Sequence, residues 1–170
     1  YLNIPSELIQ NTLSIEEIED KNPIGLILGG GPSIEGAGLS EEYIKHFDIP
    51  ILGICLGHQL IAKAYGGEVT TSETEIYAQV KININNDENL FEGLAPEMDV
   101  WSSHKDEVKT IPEEFEILAS SNLCDVESFK HKDKDVYGIQ FHPEVHHTPK
   151  GEIIFKNFYK ICQERCNNDW

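Results

Sequence analysis

The sequence has 170 residues, with 13 Lys and Arg against 30 Asp and Glu, giving a formal charge of −17 with neutral histidines. That length fits one domain spanning 1–170, and that charge repels phosphate backbones and anionic membranes, which excludes nucleic-acid and lipid-surface binding as the main activity. A 39% hydrophobic share is enough for a packed core, no apolar run approaches the roughly 20 residues of a membrane span, and Tyr1-Leu2-Asn3-Ile4-Pro5 lacks the marks of a secretory signal, so the expectation is a soluble, cytoplasmic protein.

The first clear element is the apolar run Ile24-Gly25-Leu26-Ile27-Leu28, closed by Gly29-Gly30-Gly31-Pro32, which predicts a buried strand stopped at a glycine loop. Ser40 to Phe47 opens with Ser40 and the acids Glu41 and Glu42, as a capped helix does. Ile51-Leu52-Gly53-Ile54 reads as a second buried strand. The period then changes, with Leu56, Leu60, Ile61, Ala64 and Tyr65 at helical spacing up to Gly66-Gly67. Two buried strands flanking a helix indicate an α/β core with parallel strands. From Tyr77 to Ile84 the pattern alternates. Further strands are predicted at Glu107–Thr110, Phe115–Ser120, Val126–Lys130 and Val136–Ile139 as antiparallel or mixed additions, before a final helix over Lys150–Arg165. Glu16-Glu17 and Glu113-Glu114 read as solvated pairs.

Chemistry concentrates in three places. Gly53-Ile54-Cys55-Leu56-Gly57 puts a cysteine on an abrupt strand-to-helix turn with small residues two before and two after, the requirement of a nucleophile elbow. There the thiol would stand over a helix N-terminus that favours the thiolate; the bland alternative is a buried cysteine on a turn. In Gln140-Phe141-His142-Pro143-Glu144, His142 and Glu144 share a face of an extended segment, so His142 is a candidate acid and base with Glu144 as its orienter. The loop Gly29-Gly30-Gly31-Pro32 lacks the signatures of a phosphate loop, and its backbone N–H groups, with that of Leu56, are candidates for an oxyanion hole. Cys124, Cys162 and Cys166 suggest neither a disulfide framework nor a metal site, and adjacent His146 and His147 are expected to point apart. Trp101 and Phe115 read as core or interface.

Taken together, Gly-Ile-Cys-Leu-Gly-His-Gln at 53–59, Gly-Gly-Gly-Pro at 29–32 and Phe-His-Pro-Glu-Val at 141–145 resemble the class I glutamine amidotransferases, in family order and over Ile4 to Phe158. The resemblance implies an open mixed, mainly parallel sheet with flanking helices and a small antiparallel addition. It also implies a Cys55, His142 and Glu144 triad, an oxyanion hole at Gly31 and Leu56, and glutamine contacts at Gly30, Gln59, Ser103, His104 and Lys105. Two departures stand out. Gly29 occupies a position that is usually Ser, and Tyr1 matches the end of the family's first helix, so that strand and helix are expected to be absent from the sequence.

Within the family, Trp101-Ser102-Ser103-His104-Lys105-Asp106-Glu107-Val108 and Phe141 to Thr148 are most similar to the branch that serves GMP synthesis through a separate glutaminase chain. That resemblance implies L-glutamine as substrate and, as partner, a synthetase subunit of the ATP-pyrophosphatase type. ATP and Mg would sit on that partner, with no cofactor in this chain. The alternatives are a glutaminase of the anthranilate or aminodeoxychorismate type, which usually carries Ser where this chain has Val145, and a regulatory subunit with a silent site. The Ser103–Glu107 segment is expected to be a loop that closes the glutamine pocket until the partner docks, and the acidic surface to form half of that interface.

Overall fold

The computed structural model describes residues 2–31 and 33–168. Its elements run α1 (Ile15–Glu19), β1 (Leu26–Leu28), α2 (Ser40–His46), β2 (Ile51–Ile54), α3 (Leu56–Ala64), β3 (Glu68–Ile84), β4 (Glu97–Thr110), β5 (Phe115–Ser120), β6 (Ser128–His131), β7 (Val136–Ile139) and α4 (Gly151–Asn168), with single 3-10 turns at Ile34–Gly36 and Asn89–Phe91. The strands form one seven-stranded sheet in the order β1-β2-β7-β6-β5-β3-β4. Among the described residues no helix is long and apolar enough to cross a membrane.

β2 lies between β1 and β7 and is parallel to both, while every other pairing is antiparallel. The expected mixed α/β sheet is present, with an antiparallel share larger than a small addition. β2 and β7 are buried on both faces, which explains their unbroken apolar composition. Successive residues feed opposite cores. Leu52, Tyr137 and Ile139 pack with Ile154, Phe158 and Ile161 of α4 on one side. Ile51 and Val136 pack with Leu56, Leu60 and Ile61 of α3 on the other. Because α3 is covered by the sheet beneath and by α2 and the β-arm around it, Leu56 through Ala62 are all buried.

Glu16 and Glu17 are exposed, as expected of a solvated pair, and Ser14 with Glu17 forms a reciprocal capping box that starts α1. Two local expectations change. Leu39, not Ser40, is the cap of α2, and Ser40 is its first helical residue. β3 and β4 are far longer than predicted, and beyond the Asn83↔Ser120 and Ile84↔Ala119 pairs β3 is bonded to β4 alone. At the tip of this two-stranded arm Glu73, Thr74 and Glu75 are all exposed, so hydrophobic alternation is missing there.

Candidate active site

The parallel register brings the three candidate segments to one edge. Leu28 is level with Gly53 and Ile54 with Ile139, so the glycine loop, Cys55 and the Gln140–His142 segment all leave the sheet at its carboxyl ends, where open α/β sheets place ligands. The ladder continues one residue further through the Cys55 amide, which donates to the Ile139 carbonyl at 2.8 Å.

Cys55 sits at φ 54° and ψ −100°, a conformation that a side chain adopts only under constraint. The constraint is the closeness of the two glycines. A Cβ on Gly53 would lie 2.4 Å from the Gly57 carbonyl carbon, and one on Gly57 would lie 2.3 Å from the Leu28 carbonyl oxygen. With α3 pressed this close onto β1 and β2, the chain passes from strand to helix within the single residue Cys55. That is the elbow geometry read from the spacing.

The Cys55 thiol and the His142 ring hydrogen-bond, and His142 Nδ1 meets Glu144 Oε1 at 2.6 Å, so the ring faces the sulfur through Nε2. These two hydrogen bonds, to Cys55 first and then Glu144, outweigh partial burial and push His142 up to about 10. For Glu144, burial pushes the carboxyl up, but the hydrogen bond from His142 and a backbone N–H pull it below its ordinary value. The line Cys55–His142–Glu144 therefore favours an imidazolium, held by a carboxylate, beside the Cys55 sulfur.

The glycine loop lies against this line. A Cβ on Gly30 would be 3.3 Å from His142 Cε1, and one on Gly31 would be 2.8 Å from Leu56 Cδ2. Leu56 opens α3, and the first N–H groups of a helix have no acceptor within it. Leu56 follows Cys55 directly, and Gly31 lies against the Leu56 side chain. Pro32 lies outside the described residues.

The remaining candidates are less open. Gln59 is 4% exposed, and its Nε2 donates to the Asp106 carbonyl at 2.8 Å and to Gln140 Oε1 at 3.3 Å. The Ser103–Glu107 segment is part of β4 rather than a loop, and the Cys55 thiol donates to the Ser103 carbonyl at 3.8 Å. His104 is buried, with Nδ1 3.0 Å from the Asp106 carbonyl, and burial lowers its pKa. Lys105 is exposed.

Gln140, a residue the motifs did not single out, is fully buried, with Nε2 3.6 Å from Cys55 Sγ. Its place two residues before His142 was the available signal. His146 and His147 do not point apart; their rings lie 3.8 Å apart, and His147 packs on Trp101 at 4.7 Å. Cys124 and Cys162 are pushed by burial up to about 12, which leaves them poor nucleophiles. Among the described residues no group of three or more His, Cys, Asp or Glu could hold a metal ion.

Comparison with known proteins follows the same line. The sequence profile of the family described as glutamine amidotransferase class-I matches residues 1–162. The chain is 83% identical over 169 residues to a glutamine-hydrolyzing GMP synthase subunit from Methanobrevibacter smithii, covering 99% of this chain and 89% of that one. It is 61% identical over 163 residues to the protein of the same name from Methanothermobacter thermautotrophicus, covering 96% and 88%. A crystal structure attributed to a GMP synthase subunit of Thermoplasma acidophilum superposes with a TM-score of 0.89 at 36% identity, covering 96% of this chain and 83% of that one.

Proposed function

The chain belongs to the class-I glutamine amidotransferase family, and on that premise we propose that it is the glutaminase subunit of a two-subunit GMP synthase. One observation carries the reading. The Cys55–His142–Glu144 line stands at the carboxyl ends of β2 and β7, in a chain 83% identical to a glutamine-hydrolyzing GMP synthase subunit.

The chemistry follows from the geometry. Cys55 Sγ, its proton held by His142, adds to the side-chain carbonyl carbon of L-glutamine. The carbonyl oxygen becomes an oxyanion that the backbone N–H groups of Gly31 and Leu56 receive. His142 Nε2–H gives its proton to the amide nitrogen, the C–N bond breaks, and ammonia leaves a γ-glutamyl thioester on Cys55. His142, now neutral, takes a proton from water as that water attacks the thioester, and glutamate leaves as the thiol is restored. Glu144 keeps Nε2 aimed at the reacting atoms through its 2.6 Å contact with Nδ1. Ammonia then passes to a synthetase subunit of the ATP-pyrophosphatase type. That subunit binds ATP and Mg and uses the ammonia to convert adenylated XMP to GMP; this chain needs no cofactor of its own. The β4 backbone at Ser103 lies against the thiol, so docking that shifts this strand would open the glutamine site.

The test combines the full chain with the synthetase partner of a GMP synthase and measures GMP formed from XMP and ATP. Glutamine-dependent synthesis that Cys55→Ala abolishes, with ammonia-dependent synthesis retained, is the expected result. A complex that uses ammonia but never glutamine, or no complex at all, would overturn the reading.

A further inference from the structure

The sulfur of Cys55 has a neighbour that the triad does not employ. Gln140 Nε2 lies 3.6 Å from Cys55 Sγ, its side chain is 0% exposed, and its own amide N–H is tied to the Glu127 carbonyl at 2.8 Å. The polarity of this contact can be derived. The Asp106 carbonyl can only accept, so the Gln59 group 2.8 Å from it is the NH2. That same NH2 reaches the Gln140 side chain at 3.3 Å, so the Gln140 atom it meets is the oxygen, Oε1. The other end of the Gln140 amide, facing sulfur, is therefore a donor. A main-chain acceptor on β4 thus fixes, through two buried amides, that the sulfur is offered an N–H.

The opposing contact has the other preference. The Ser103 carbonyl, 3.8 Å from Sγ, can accept from a thiol but can only repel a thiolate. Gln140 favours the ionised sulfur and Ser103 the neutral one, and both are positioned by the same stretch of β4, Ser103 to Asp106.

We propose that Gln140 is a positioning residue of the reaction, donating to Cys55 Sγ as a second stabiliser of the thiolate beside His142, with its orientation set by Gln59 and the Asp106 carbonyl. The proposal rests on Cys55 being the nucleophile. Charge-assisted hydrogen bonds strengthen when the acceptor ionises, so the contribution of Gln140 appears in ionisation and turnover, with little change in glutamine binding.

The experiment uses the full chain with its synthetase partner. It follows iodoacetamide labelling of the Cys55 peptide by mass spectrometry across pH 5–10, with steady-state glutaminase kinetics in parallel. Gln140→Met keeps length and volume without the donor. Gln140→Glu keeps an oxygen for Gln59 but turns an acceptor toward sulfur. The expected result for Gln140→Met is a labelling midpoint about one pH unit higher, a kcat about tenfold lower and a KM for glutamine within about twofold of the original. A larger shift in the same direction is expected for Gln140→Glu. Labelling midpoints and kcat unchanged in both variants would overturn the proposal. So would failure of both to fold by circular dichroism, which would make Gln140 a packing element. Cys55→Ser separates the two levels: if it retains glutaminase activity, the nucleophile assignment itself is wrong. If it is inactive while the Gln140 variants behave as the original, only the role of Gln140 falls.

Discussion

His142 is bonded to Trp101 across the site: its amide donates to the Trp101 carbonyl at 2.9 Å in an isolated antiparallel bridge. The bridge ties the segment after β7 to the middle of β4, two strands that are far apart in the sheet order. Thr148 completes it, accepting from the Trp101 amide at 2.9 Å and donating to the His142 carbonyl at 2.7 Å. The β3–β4 arm is therefore attached to the triad through four backbone groups and one buried hydroxyl. Any partner that moves the arm also moves the base.

Thr148→Val keeps the shape of this clamp but removes both hydrogen bonds, leaving the Trp101 amide without its acceptor. A loss of about 1–3 kcal/mol in stability is expected. Glutaminase kcat should fall further than this destabilisation alone would cause, because His142 is no longer held in register. Chemical denaturation and steady-state kinetics on the same preparation check both; an unchanged kcat would show that the bridge does not position the ring.

Much of the site was legible in the sequence, and the part that was not failed for physical reasons. The change of period at Ile54-Cys55-Leu56 and its glycines predicted the elbow because the close approach of Gly57 to Leu28 permits no side chain. His142 and Glu144 share a face two residues apart, and the structure joins them. By contrast, β4 was read only at its end. Its inward positions beside the site are Ser102 and His104, which are buried but polar, so hydropathy alternation breaks where the chemistry is. The buried amide relay of Gln59 and Gln140 was equally hidden, since its members come from α3 and the end of β7 and meet only through the sheet order.

The backbone of Cys55 supplies a stability test independent of activity. At φ 54° and ψ −100° a residue with a Cβ carries a strain of about 1–3 kcal/mol, which glycine relieves at some entropic cost in the unfolded chain. Cys55→Gly is expected to be more stable than Cys55→Ala by roughly 1 kcal/mol, although both lack the thiol and are inactive. Equal melting temperatures would mean that the elbow is not strained.

Glu144→Gln tests the electrostatics of the base. His142 is raised from 6.5 to about 10 by its hydrogen bonds to Cys55 and to Glu144, so the folded state holds this proton more tightly than the unfolded state. The associated stability is fully present below about 6.5 and is lost as pH rises through about 10. Removing the carboxylate charge should lower the His142 midpoint, move the alkaline limb of kcat/KM to lower pH and reduce kcat by about 100-fold or more. Imidazole proton resonances followed through the titration report the midpoint directly. A midpoint equal to the original would show that Glu144 contributes geometry without charge.

The strongest pH prediction comes from two groups behind the nucleophile. Glu127 is 0% exposed, with Ser121 Oγ donating to its Oε1 at 2.7 Å and no partner for Oε2 among the described residues. Burial pushes this carboxyl up to about 7, partly offset by the Ser121 hydrogen bond and reinforced by Glu107. His58, equally buried and stacked on Phe129 at 4.4 Å, is driven by burial down to about 3. Their signs oppose each other. Between about 4.5 and 7 the folded state holds the Glu127 proton more tightly than the unfolded state, so stability falls as pH rises. Between about 3 and 6.5 the unfolded state takes up a proton that buried His58 refuses, so stability rises with pH. Each slope approaches about 1.4 kcal/mol per pH unit, and where the windows overlap they nearly cancel. Glu127→Gln removes one of the pair while keeping an acceptor for Ser121. The gain in stability over the original chain should grow from near zero at pH 4.5 to about 3 kcal/mol above pH 7, read by chemical denaturation at several pH values. A gain that does not change with pH would mean that Glu127 ionises as freely in the fold as outside it, and that the polar layer beneath Cys55 is better solvated than its burial implies.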